Sequence, residues 1–442
     1  MAHYTPLHPE VQVETTHQVL RNVPLTSESD FQFTRKDQQI LRELAGQIAA
    51  LAAQPVEQTK RDLWIRHNRL DRTRPLILCD PELAWQEIIT DQQLRCQGNF
   101  ARQWERQLRQ ERFWGNELQD DRSIEPFFIL SHVRQWDLFW GLKETRIGGD
   151  NRTTYRWESP VRSEQDIDRL TMPTLEVDFA GTDRLATIAS EIFGDLLPVK
   201  LRTMWWWTLG LTWMLINLRG LEQVMYDLVD NPDLIHRLMA LLRDGTAAFL
   251  DDLEARNLLF ANTGGTTVAS GGMGWSDELP RQGGQDHQGH IQPAAMWGFA
   301  ESQETVGVSP LMFAEFVFPY QQPLLERFGL NCYGCCEPLE GRWHVVQQIP
   351  RLRRVSVSPF SDRAAMADRL QNRYIYSMKP HPADLAMPSF DEDRIRQTLR
   401  RDLRITRDCR LEIILKDTTT ICNQPERLVR WVQIAREEVE RL

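Results

Sequence analysis

Three cysteines, a glutamate and a glycine fall together in residues 330–339 (LNCYGCCEPL). Thiolates and carboxylates are zinc ligands, and a catalytic zinc keeps one coordination position open. Cys335, Cys336 and Glu337 are therefore the candidate metal ligands. In an extended segment Cys335 and Glu337 share one side and Cys336 takes the other. The same thiols also suit a plainer role as buried filler beside a strand end. A second group lies in residues 376–382 (YSMKPHP), where two prolines fix the turn around His381 and follow Lys379. Such a pair can bind an anion, move a proton or ligate a metal. The third is at residues 415–420 (LKDTTT). Lys416 follows an apolar run, so it or Asp417 must project into the interior, and a buried lysine–aspartate pair is costly unless mutually satisfied.

These residues share a position: each group follows a short β-type run. Runs of that kind occur at 127–133, 197–203, 258–263, 295–300, 330–335, 354–358, 374–379 and 411–416, with helical patterns between most of them. Alternating strands and helices imply a parallel sheet with helices outside. Eight or nine strands fit a closed (β/α)8 TIM-type barrel, in which chemistry belongs to the loops after the strand C-termini. No Gly-x-Gly-x-x-Gly fingerprint follows an early strand, which argues against dinucleotide binding. Other segments expected at the mouth are Trp297 with Glu301 and Gln303, Arg202 with Trp206 in the run 204–207 (MWWW), and the glycine-rich residues 270–280 (SGGMGWSDELP). The last reads either as a mobile lid or as a loop that offers backbone amides to a ligand.

Residues 1–125 read as a mainly helical N-terminal extension with one short strand at 75–80, and residues 126–442 as the barrel. Within the extension, Phe31, Phe33, Ile40, Leu41, Leu44, Ile48 and Leu51 recur at helical spacing, which predicts a helix over 30–65. Further helices are expected at 100–113, 232–253, 309–328 and 424–442. The 442-residue chain carries 52 Lys and Arg against 62 Asp and Glu, a net charge of −10, which disfavours nucleic acid as a partner. No apolar run approaches the roughly 18 residues of a membrane span. No basic stretch with an apolar h-region opens the chain, and seven cysteines with no disulfide-like spacing suit a cytoplasmic protein. A homodimer is open on this reading.

The second half of the chain resembles the uroporphyrinogen decarboxylase superfamily, which includes the methylcobamide:coenzyme M methyltransferases. Pro319-Tyr320 followed by the strand ending at Cys335 is similar to that family's Pro-Tyr helix and His-x-Cys-Gly strand end. Residues 378–385 (MKPHPADL) resemble its Gly-Asn-x-Asp-Pro-x-x-Leu segment, and Asn423-Gln424-Pro425-Glu426-Arg427 its last helix start. The resemblance implies a (β/α)8 barrel and, in the methyltransferase branch, zinc held by His-x-Cys and a later cysteine. Here Cys335 matches the strand-end cysteine, Tyr333 stands where the histidine is expected, and the late ligand maps to Asp417 or Lys416. What the resemblance implies is a zinc-assisted methyltransferase that moves methyl between a methylcorrinoid such as methylcobalamin and a thiol. Two alternatives stand beside it. One is a metal-free decarboxylase of a carboxylated tetrapyrrole, with Arg202, Lys379 and Lys416 as anchors; the other is a non-catalytic corrinoid or tetrapyrrole binder.

Overall fold

The computed structural model describes residues 28–136, 140–142, 145–147, 156–280, 285 and 288–441. The opening stretch, read above as carrying no leader, lies outside the described residues. The expected single helix over 30–65 is two helices, α1 (Arg35–Ala52) and α2 (Pro55–Asn68). Thr34 and Asp37 form a reciprocal capping box at the start of α1. Pro55 opens α2 and explains the break, because its ring lacks the N–H that would continue α1.

The parallel strands are β1 (Leu76–Cys79), β2 (Phe128–Leu130), β3 (Val199–Leu201), β6 (Trp297–Ala300), β7 (Leu330–Tyr333), β8 (Leu352–Val357), β9 (Ile375–Met378) and β10 (Arg410–Leu415). Between them in sequence lies a short antiparallel hairpin, β4 (Thr267–Val268) and β5 (Gly272–Met273). Six strands make one parallel sheet in the order β1-β10-β9-β8-β7-β6, while β2 and β3 pair separately. Thus β1, which the sequence places in the extension, is hydrogen-bonded to the last strand, with Cys79 opposite Leu415. Among the described residues no ladder joins the six strands to the pair, so closure into the expected ring of eight is not shown.

Side chains instead satisfy the two sheet edges. Along β1, Asp121 Oδ2 accepts the Ile77 N–H at 2.7 Å and Asp120 Oδ2 that of Cys79 at 2.9 Å. Along β6, the Asn262 amide accepts the Trp297 N–H at 2.8 Å and donates to its carbonyl at 3.0 Å. Residues 258–263, expected as a strand, contribute that one amide rather than a ladder.

Strand alternation sorts the side chains. Leu411, Ile413 and Leu415 belong to the main core, which Trp431 and Val432 of the closing helix α5 (Glu426–Val439) complete. Glu412, Ile414 and Lys416 take the other face. Helix α2 plugs that face at one end, where Trp64 packs with Leu76, Leu78, Met273 and Ile414. The residues before 125 are therefore part of the sheet's interior as well as an appendage to it. Helices α1, α3 (Asn99–Phe113) and the helix Phe179–Phe193 build a second apolar cluster around Trp104 and Phe128. The expected long helices are found at α4 (Pro232–Ala255) and α5, while 309–328 divides into Pro310–Phe316 and Phe318–Leu325. No helix among the described residues is long and apolar enough to cross a membrane.

Candidate functional site

The inner face of the sheet carries two tiers of charge. In the lower tier, Glu412 is fully buried. Its two oxygens meet Arg354 Nε at 2.9 Å and His67 Nε2 at 3.2 Å. Arg354 also donates to Asn68 Oδ1 at 2.7 Å. Burial alone would raise Glu412, but Arg354 and His67 hold it down to about 2. His67 is pushed below its ordinary value by burial, against the pull of Glu412. The tier is a closed ion-pair network that joins α2 to β8 and β10.

The upper tier lies at the C-terminal ends of β1, β7, β9 and β10. Cys335 is 3% exposed, and its Sγ is 3.4 Å from Ser270 Oγ, 3.6 Å from Cys336 Sγ and 3.9 Å from Lys416 Nζ. Lys416 also donates to Asp417 Oδ1 at 2.9 Å and lies 3.8 Å from Glu82 Oε1. The hydrogen bond from Cys336 and the charge of Lys416 hold the Cys335 thiol below its ordinary range, against burial. Cys336 moves the opposite way, chiefly because its S–H is engaged by Cys335. Burial would strip the proton from Lys416, yet Cys335, Glu82 and Asp417 together hold it well above the usual lysine value. Burial raises Asp80 and pushes Glu82 up to about 8. Asp417, Glu82 and the Cys335 sulfur are thus the groups that face the Lys416 ammonium. Lys379 donates to Ser377 Oγ at 2.6 Å, and burial brings its ammonium down to about 8.

The glycine-rich segment supplies the turn and second strand of the β4–β5 hairpin, which lies against the upper tier. Gly271 (φ +111°) meets Ile414 and the Lys416 stem, and Gly272 packs against the Arg354 guanidinium, where a Cβ would collide. Ser270, at the hairpin's turn, supplies the hydroxyl on Cys335.

Gly334 changes the expected side-chain order. Its positive φ of 90° ends the strand's alternation, so Cys335 and Cys336 lie together while Glu337 turns away. The Glu337 oxygens accept the backbone N–H groups of Ser302 and Cys335, each at 2.9 Å. The Lys416 ammonium, 3.9 Å from Cys335 Sγ, is a like charge that a metal at that thiol would face. Among the described residues no three His, Cys, Asp or Glu side chains are grouped so as to hold a metal ion. The expected Cys335–Cys336–Glu337 zinc set is not assembled, and this donor set does not fit zinc.

The other sequence candidates divide. Tyr333 lies on the opposite face of β7, in the main core, where its hydroxyl donates to Gln321 Oε1 at 2.8 Å. His381 is exposed in its turn, with Nδ1 accepting the Ala383 N–H at 3.1 Å, away from the tier. Glu301 is buried beside Glu304 and Glu337; burial first and those carboxylates second raise it well above the usual range. Gln303 donates to Glu304 at 3.3 Å. Arg202, Trp206 and Trp297 line a cavity of about 420 Å³ that also reaches Asp80 and Glu82. Sequence reasoning missed Asp80 and Glu82. The sign is present in the sequence: they follow a strand C-terminus, but residues 1–125 read as an extension outside the barrel.

No family model matches the chain, and no curated protein matches it. Among solved structures it is similar to a methyltransferase from Methanosarcina mazei, with 10% identity and a TM-score of 0.47 over 86% of this chain and 99% of that one. Likeness at that level establishes no shared activity.

Proposed function

We propose that this protein is a thiolate-dependent methyltransferase with Cys335 as the nucleophile. The observation that carries the reading is the environment of that one sulfur. Burial pushes Cys79, Cys96, Cys332 and Cys409 up, and Cys336 is raised as well; Cys335 is lowered. Its partners are an ammonium, a thiol and a hydroxyl, none of them a general base. That set suits attack on saturated carbon, where a preformed thiolate needs no proton transfer. The methylcorrinoid donor is the class that the sequence resemblance implies.

In this reading Lys416 holds the thiolate form, Ser270 and Cys336 orient its lone pairs, and the hairpin keeps water from it. An Sγ–CH3 bond forms as the donor's bond to that carbon breaks, and the donor leaves with the bonding electron pair. Methylation removes one of the anions facing Lys416, so Glu82 then gives up its proton more readily. The decarboxylase reading is less well supported: of its three expected carboxylate anchors, Arg202 is bound to Glu125 at 2.8 Å and Lys416 to Asp417 at 2.9 Å, which leaves Lys379 alone without a carboxylate partner in hydrogen-bond reach among the described residues.

The test is anaerobic incubation with methylcobalamin, followed by peptide mass mapping of wild type beside Cys335→Ser. A methyl thioether on Cys335, absent from the serine variant, is expected. No transfer, or transfer at the same rate in Cys335→Ser, overturns the reading.

A further inference from the structure

Cys335 and Cys336 are neighbours in space as well as in the chain: their sulfurs lie 3.6 Å apart. Consecutive side chains of an extended segment point to opposite faces, so the contact needs a break in the backbone. Gly334 provides it, with its positive φ of 90° directly after β7. The two sulfurs have different surroundings. Cys335 is buried against Lys416 and Ser270. Cys336 is half-buried, and its Sγ lies 3.6 Å from Oδ2 of Asp417, whose side chain is 42% exposed. Contacts thus run outward from the inner sulfur through the outer one toward solvent. Cys332 is not a rival partner, because it faces the lower tier, where Arg354 Nη1 lies 3.8 Å from its Sγ.

We propose that hydrogen peroxide joins Cys335 and Cys336 in a reversible disulfide, which makes the pair a peroxide-responsive modification site. Thiols of that kind are thiolates poised beside a resolving cysteine, and here the lowered thiol is Cys335 and the raised one Cys336. Depth selects the oxidant. Peroxide is little larger than water, whereas a bulky disulfide cannot reach a sulfur in a residue that is 3% exposed. In the first step the Cys335 thiolate attacks one peroxide oxygen; the O–O bond breaks, the sulfur is oxidised to a sulfenic acid and hydroxide leaves. The Cys336 sulfur then attacks the Cys335 sulfur. The S–O bond breaks, and its hydroxyl departs with the Cys336 proton as water. Peroxide gains the two electrons that the two sulfurs lose. The product is easily reversed: consecutive Cα atoms are about 3.8 Å apart across a trans peptide, closer than the roughly 4.4–6.8 Å usual for a disulfide, so the ring is strained and readily reduced.

The inference uses the sulfur of the proposed function but does not depend on methyl transfer, and the experiment separates the two because no methyl donor is present. Full-length, fully reduced protein is treated with hydrogen peroxide, the excess is removed by catalase, and free thiols are alkylated under denaturing conditions before peptide mass mapping. The peptide that carries both residues is expected to lose both alkyl marks and to be lighter than its reduced form by two hydrogens. Dithiothreitol should restore both marks. Cys336→Ser should stop at the sulfenic acid on Cys335, captured by dimedone, and Cys335→Ser should keep Cys336 open to alkylation. The wild-type result decides the matter even where a variant fails to fold. Both marks retained after peroxide, a sulfinic acid on Cys335 of the wild type in place of the disulfide, or a bond from either sulfur to another cysteine would overturn the proposal.

Discussion

The two tiers inside the sheet use the same chemical vocabulary to different ends. Below, Glu412, Arg354 and His67 are all buried, and the carboxylate's two oxygens face two different partners. Above, Lys416 faces Asp417, Glu82 and Cys335 at 2.9, 3.8 and 3.9 Å, and Asp417 is 42% exposed. A fully buried network closed off from solvent fixes how α2 meets the sheet. A network with long contacts and one side toward solvent keeps its protons mobile, and the acidic thiol belongs to it. On the proposed function, burial of charge alone does not mark a reactive site; incomplete pairing beside a lowered thiol does.

The contrast can be broken most forcefully from below. Glu412→Gln leaves Arg354 buried without its counter-charge, and a loss of roughly 3–5 kcal/mol is expected, read as a lower urea midpoint. The reactivity of Cys335 should survive at denaturant concentrations where that variant is still folded. From above, Lys416→Met should do the reverse. Its stability loss is smaller, because Glu82 can hold its proton, while thiolate at neutral pH drops about tenfold for each unit that Cys335 climbs. Iodoacetamide labelling of Cys335, followed by mass spectrometry, measures that drop.

Smaller effects sharpen the comparison through pH. Glu82 titrates near 8 when folded against an ordinary 4.5. Between those values the unfolded chain has released this proton and the folded chain has not. Its contribution to stability is therefore full below about 4.5 and is lost as pH rises through about 8. Glu82→Gln should flatten that fall, seen as urea midpoints measured across the window. Lys379 works in the opposite sense, since its folded value of about 8 lies below the ordinary 10.5. Its contribution is present above about 10.5 and is lost as pH falls through about 8. Lys379→Met should accordingly raise the midpoint near neutrality, and the gain should shrink in alkali.

Much of the sheet was legible because its strands are covered on both faces. The runs at 330–335, 374–379 and 411–416 read as apolar stretches interrupted at alternate positions by the residues that matter. Lys416 was readable as inward-facing for that reason, and it is 2% exposed. Trp206, Trp297 and Arg202 line the cavity of about 420 Å³. What could not be read is long-range. Nothing in residues 75–80 announces that their partner is β10, more than 300 residues later, and with that pairing went Asp80 and Glu82. The positive φ of Gly334 likewise reversed which neighbours of Cys335 point with it. Asp120, Asp121 and Asn262 look like ordinary loop residues, yet they serve the sheet edges in place of a neighbouring strand.

The central claim is that Cys335, alone among the buried thiols, favours the thiolate. A titration of thiolate ultraviolet absorbance, wild type minus Cys335→Ser, tests it without requiring any reagent to reach the sulfur. The account predicts a difference signal that rises below the ordinary thiol value of 9.0 and moves upward in Lys416→Met. A signal that rises only above that value, or one that Lys416→Met leaves in place, would contradict it.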